Sequence, residues 1–129
     1  MSDSETTVGQ LRQAVAEFVG QRDWHQFHTP KNLAMSMAIE AAELMEHFQW
    51  LTPEQSRAVA QDPDRLAAVA DELADVCCYA LAMANELGLD LSAALGEKMA
   101  KNEAKYPVDQ YRGRFGPDDP GAAHDASGR

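Results

Sequence analysis

Apolar residues recur every three or four positions along most of the chain, and no stretch keeps the two-residue alternation of a strand. The fold class this predicts is all-α. Leu11, Val15, Phe18 and Val19 form an apolar stripe on a first helix over residues 7–21. A connector rich in aromatic residues follows at 22–28. Thr29 and Pro30 then open a second helix, with Thr as N-cap and Pro at the first helical position, running to about residue 49. Thr52-Pro53-Glu54-Gln55 repeats the signal with capping-box spacing and opens a short helix. Asp62-Pro63 starts a third long helix that ends near Gly88, where a C-terminal glycine is expected. Asp90 can cap a fourth, which Pro107 terminates. Residues 113–129 are dominated by Gly, Pro and Asp, which predicts a flexible C-terminal tail and leaves residues 1–112 as the folded domain.

Two of these helices are apolar around most of their circumference. On the second, a narrow polar stripe of Ser36, Glu40, Glu43 and His47 runs along a surface that is mostly Leu, Met, Ile, Phe and Ala. On the third, Asp75 is the one charged residue between Leu73 and Ala84. A chain of 129 residues has a limited interior. Its second and third helices are therefore expected to form the centre of a larger bundle, completed by homo-oligomerisation.

Charge narrows the function. Twenty-one acidic against 11 basic residues give a formal net charge of −10. Such a chain is a poor partner for a nucleic acid polymer or an anionic membrane, both of which select a positive field. With an apolar fraction of 45% and no apolar run of bilayer length, the composition predicts a small globular domain. The polar, acidic opening lacks the pattern of a secretory signal, so the expected location is cytoplasmic. The two cysteines, Cys77 and Cys78, are adjacent; neighbours do not readily meet disulfide geometry, and they are expected to be buried small hydrophobes.

The candidate chemistry lies in the carboxylates. Glu40-x-x-Glu43 and Glu72-x-x-Asp75 each place two acids on one helical face. If the faces converge, four acids crowd together between apolar walls, and their repulsion calls for protons or a cation. Oxygen-only ligands suit Mg²⁺ or Mn²⁺. A di-iron carboxylate site fits poorly, because the third helix has no histidine. On the fourth helix Lys98, Lys101, Asn102 and Lys105 form a stripe that suits phosphate oxygens. Taken alone, these patterns equally describe solvated helix faces, with lysines favoured near a helix C-terminus.

The two acidic pairs together resemble the signature of the MazG-like all-α nucleoside triphosphate pyrophosphohydrolases. Arg22-Asp23-Trp24-x-x-Phe27-His28-x-Pro30-x-Asn32-Leu33 resembles the dCTP pyrophosphatase branch. So do Glu40-x-x-Glu43-Leu44-x-Glu46-x-Phe48-Gln49-Trp50 and Lys98-Met99-x-x-Asn102-x-x-Lys105-Tyr106-Pro107. The resemblance covers about residues 10–107. It implies a four-helix MazG-like bundle assembled as a homodimer or homotetramer. It also implies Mg²⁺ (or Mn²⁺) held by Glu40, Glu43, Glu72 and Asp75, and cleavage of a deoxynucleoside triphosphate between the α- and β-phosphates. By the same resemblance Trp24 and Trp50 would wall the base, and Tyr79 would pack on the sugar. Lys98 and Asn102, with Lys105 and Tyr106, would neutralise and orient the triphosphate. His28 is expected to be structural, and His25, His47 and His124 to be surface or packing residues. One position departs from the branch: Val15 stands where a histidine often helps to read the pyrimidine. The departure leaves open a broader or different base preference, such as dUTP or damaged nucleotides. A catalytically inactive nucleotide-binding helical assembly is the reading from another class.

Overall fold

The first four α-helices each begin at a side chain that accepts a hydrogen bond from an otherwise orphaned backbone N–H. The computed structural model describes residues 1–116 and 119. Thr7 caps α1 (Val8–Gln21) in a capping box with Gln10. Thr29 accepts from the Asn32 backbone to open α2 (Pro30–Glu46), and Thr52 and Gln55 complete a second capping box at α3 (Pro53–Ala58). Asp62 accepts from the Arg65 backbone at the start of α4 (Pro63–Leu87). Gly88 ends α4 at φ 63°, a left-handed turn that glycine adopts without Cβ strain. Then come α5 (Leu91–Lys105) and the short α6 (Val108–Tyr111). The described residues contain no strand. They form helices at the expected places and add the unpredicted short α6 after Pro107; two refinements concern the second helix and the connector. The second helix ends at Glu46 rather than near 49, because His47 and Phe48 donate to the carbonyls of Leu44 and Met45 in tightened i→i−3 turns. The aromatic connector holds a 3₁₀ turn at Trp24–Gln26, entered through Asp23 in the left-handed region at φ 53°. Of the predicted tail, Pro117, Asp118 and residues 120–129 lie outside the described residues.

The chain divides into two compact units, Met1–Leu91 and Ser92–Arg129. In the first, α4 is the spine. The principal packing is α2 along α4, with α1 against another part of α4. Val19, Leu33, Val59, Leu81, Ala82 and Ala84 are buried. Polar bonds pin α1 to the C-terminal half of α4: Arg12 donates from Nε to Oδ1 of Asn85 (2.9 Å), and Asn85 donates from Nδ2 to the Arg12 carbonyl (3.0 Å). Much of α2 is left uncovered, with Met35, Ile39 and Met45 each more than half exposed. Cys77 and Cys78 are exposed too, which corrects the expectation that they are core residues. Among the described residues, no helix is long and apolar enough to cross a membrane.

Within the second unit, α5 gives way to α6 at Pro107, where the Tyr106 and Tyr111 rings meet edge to face at 5.1 Å. Lys105 Nζ lies 5.2 Å from the Tyr106 ring centroid.

Removing the reciprocal clamp between α1 and α4 leaves the Arg12 guanidinium without its side-chain acceptor. Asn85→Ala is expected to lower stability by about 1–3 kcal/mol, read as a shift in the midpoint of urea unfolding.

Candidate metal centre and aromatic pocket

The packing of α2 on α4 turns the two acidic pairs toward each other. Glu40, Glu43 and Glu72 each offer a carboxylate oxygen within 4.8 Å of the others. Asp75, one turn beyond Glu72, lies outside this trio, but its charge raises the pKa of both Glu40 and Glu72. Glu40 is held above the usual carboxylate range first by a hydrogen bond with Glu43, then by partial desolvation and the neighbouring charges. Glu72 is raised chiefly by desolvation, then by hydrogen bonding and repulsion from Glu43, while His47 opposes the shift. A hydrogen bond between two carboxyls needs a shared proton, so the cluster needs either protons or a positive charge. Oε2 of Glu72 is buried without a hydrogen-bond partner. An oxygen-only group of this kind fits a hard divalent cation, and the orphaned oxygen is where such an ion would be satisfied.

His47 reaches the edge of the cluster, an approach that its sequence pattern alone did not establish. Its Nε2 lies 3.9 Å from Oε1 of Glu72. The signal was present, since His47 continues the polar stripe of Glu40 and Glu43 after four residues. His25, by contrast, pairs with Glu86 at 2.9 Å, well away from the acids in sequence. His124 lies outside the described residues.

Beside the acids is a cavity of about 240 Å³ lined by Phe18, Trp24, His28, Asp75, Cys78, Tyr79 and Ala82. Its rings form a chain: Phe18 to Trp24 edge to face at 5.7 Å, Trp24 to His28 at 6.1 Å, His28 to Tyr79 at 6.4 Å. The left-handed Asp23 and the 3₁₀ turn after it bring Trp24 back onto Phe18, and the Arg22 guanidinium covers the Phe18 ring at 3.7 Å. Cys78, facing this cavity, has its thiol pKa raised by desolvation and then by the Asp75 charge. Trp24 and Tyr79 are thus brought together, with Asp75 common to the cavity and the acidic cluster. Trp50 is not with them in this chain: it is 86% exposed and lines a separate cavity with Glu46, His47, Val59 and Arg65. Lys98, Asn102, Lys105 and Tyr106 belong to the second unit; the lysines are exposed on α5, and the Tyr106 amide donates to the Asn102 carbonyl at 2.8 Å.

Among the described residues, an all-helical fold thus carries a convergent Glu-rich cluster and an aromatic cavity that share Asp75 as a neighbour. The sequence profile of the MazG-like family matches residues 35–114, and the chain belongs to that family. It is 41% identical over 110 residues to dCTP pyrophosphatase 1 of Bos taurus, an alignment covering 85% of this chain and 65% of that one. The human protein of the same name is 40% identical over 104 residues, 81% of this chain and 61% of the other. The chain therefore spans just under two thirds of the length of these curated relatives. A crystal structure of a pyrophosphatase from Archaeoglobus fulgidus superposes with a TM-score of 0.71 at 36% identity, covering 83% of this chain and 98% of that one.

The raised carboxyls fix the sign of a pH dependence. Just above the ordinary carboxylate range, Glu40 and Glu72 hold more proton in the folded chain than in the unfolded one. Stability without metal therefore falls as pH rises from the unfolded value through the raised folded values. Glu40→Gln removes one charge and leaves an amide that can donate to Glu43. In EDTA at neutral pH its thermal midpoint is expected above that of the wild type, with a flatter pH dependence; an unchanged midpoint would contradict the crowding.

Proposed function

We propose that the chain is a Mg²⁺-dependent pyrophosphohydrolase of deoxynucleoside triphosphates, with dCTP or a modified dCTP as substrate. The observation that carries this reading is Asp75, which borders both the acidic cluster and the aromatic cavity. A cation site and a ring pocket that share a wall suit a ligand with a polyanion at one end and a base at the other. Family membership and the named activity of the relatives support the same reading.

Glu40, Glu43, Glu72 and Asp75 would hold the cation, with Mn²⁺ as a substitute. Bound there, it would supply charge neutralisation at the phosphate oxygens and lower the pKa of water. A glutamate of the cluster positions and deprotonates the attacking water. Oxygen from that water bonds to the α-phosphorus as the bond from α-phosphorus to the α–β bridging oxygen breaks. The electron pair leaves with pyrophosphate, and the other product is the nucleoside monophosphate. Lys98, Asn102, Lys105 and Tyr106 would bind and orient the triphosphate, balancing its charge. Trp24 and Trp50 would contact the base, and Tyr79 the sugar. Residues 1–112 would act as one functional domain in the cytoplasm. The exposed apolar side chains Met35, Ile39 and Met45 support a homodimer or homotetramer.

The test is pyrophosphate release from a panel of nucleoside triphosphates with Mg²⁺, run beside Glu43→Ala. Release is expected to be fastest from dCTP and to fall on the order of 10²-fold or more in the variant. No release from any nucleotide by the wild type would sink the reading.

A further inference from the structure

Asp75, Tyr79 and Ala82 line the aromatic cavity at spacings of four and three on α4, so they share one helical face. Glu86 continues that face one turn further on and is not among the lining residues. There its Oε1 meets Nδ1 of His25 at 2.9 Å, a contact across 61 positions of the sequence. His25 follows Trp24 within the 3₁₀ turn of the aromatic connector. Nδ1 is the donor when the carboxylate is ionised, and the charged ring and one neutral tautomer both supply that proton. Other side-chain hydrogen bonds of the connector stay local. Gln26 donates from Nε2 to the Asp23 carbonyl, Asn32 from Nδ2 to the Phe27 carbonyl, and Arg22 to the Phe18 carbonyl, each at 3.0 Å. These bonds shape the turn and fasten it to α1 and α2; the His25 bond crosses to α4.

The turn needs such a tie. Asp23 enters it at φ 53°, a left-handed conformation that is costly for a residue with a side chain and persists where its surroundings hold it. Trp24 is 39% exposed, and its ring contacts run to Phe18 of α1 and to His28, which in turn meets Tyr79 of α4. Ring contacts tolerate tilt and sliding, whereas a hydrogen bond of 2.9 Å is directional. The His25 side chain is 56% exposed, so its pairing with Glu86 adds little to global stability. Its effect is local. We propose that His25 is a positioning residue, whose Nδ1–H bond to Glu86 latches the aromatic connector onto α4 and holds Trp24 in the cavity wall. Neither partner lines the cavity or belongs to the acidic trio. A connector that has swung out must dock again before the cavity can bind, and apparent affinity falls by the fraction of molecules that are docked. The latch rests on the hydrolase reading for what fills the cavity, and on the connector's geometry for its action.

The experiment compares the full-length wild type with His25→Ala, Glu86→Ala, the double variant, and His25→Asn, whose amide N–H stands near the Nδ1 position. Values of kcat and KM are measured for dCTP with Mg²⁺. Each alanine variant is expected to raise KM on the order of 5-fold, with kcat held within about 2-fold. The double variant should be no worse than either single one, since both remove the same bond, and His25→Asn should restore most of the loss. An unchanged KM in His25→Ala, multiplying effects in the double variant, or a thermal midpoint that drops in step with the rise in KM would overturn the latch while leaving the hydrolase reading in place. Fluorescence supplies a readout that needs no turnover. The sequence has two tryptophans, so Trp50→Phe leaves Trp24 as the sole reporter. In that background His25→Ala should make Trp24 more accessible to acrylamide quenching, and His25→Asn should reverse the change. Greater quenching in a protein that releases no pyrophosphate would defeat the hydrolase reading and keep the latch. Equal quenching with and without His25 would overturn the latch directly.

Discussion

Like charges forced into one another's company set the terms for the first unit. Glu40, Glu43 and Glu72 are held within a few ångströms by the packing of α2 against α4, and their repulsion is opposed by the burial of Leu33, Leu81 and their neighbours. Helices suit this task because i,i+3 spacing fixes each acidic pair rigidly on one face. The 25-residue α4 adds a continuous rod that ties the acids at its middle to the α1 clamp near its end. The fold stores electrostatic tension at one place and resists it with apolar contact elsewhere. Proteins that must receive a cation commonly accept such local cost.

Helix boundaries were legible because caps are local chemistry. Thr29-Pro30, Thr52 with Gln55, Asp62-Pro63 and Gly88 each act within a few residues, and each does in the structure what its spacing implies. The two acidic pairs were legible for the same reason; which acids meet depends on one helix crossing another. That crossing joins Glu72 to Glu40 and Glu43 and brings in His47, whose place on the stripe gave a hint but no chemistry. Cys77 and Cys78 were misjudged because an apolar sequence context is not the same as being covered: no element of the first unit lies over that part of α4 closely enough to bury them.

Exposure on α2 belongs to the same lesson. Leu33 is almost fully buried while Met35 and Ile39, a few residues on, stand in the open. One amphipathic stripe suffices to hold α2 on α4, and the sequence makes the helix apolar far beyond that stripe. Trp50, at the loop that follows, is among the most exposed aromatic side chains described. The first unit thus carries more adhesive surface than its own fold consumes.

Asp75 has one more consequence. It faces the acids through its charge and the aromatic cavity through its position on the wall. Two occupants that share a boundary group are not independent. Whatever draws on the Asp75 charge at one end alters the field at the other, and reciprocity requires each occupant to change the other's affinity by the same factor. On the proposed function, the pocket and the acids would form a single thermodynamic receptor, in which filling either half is information available to the other.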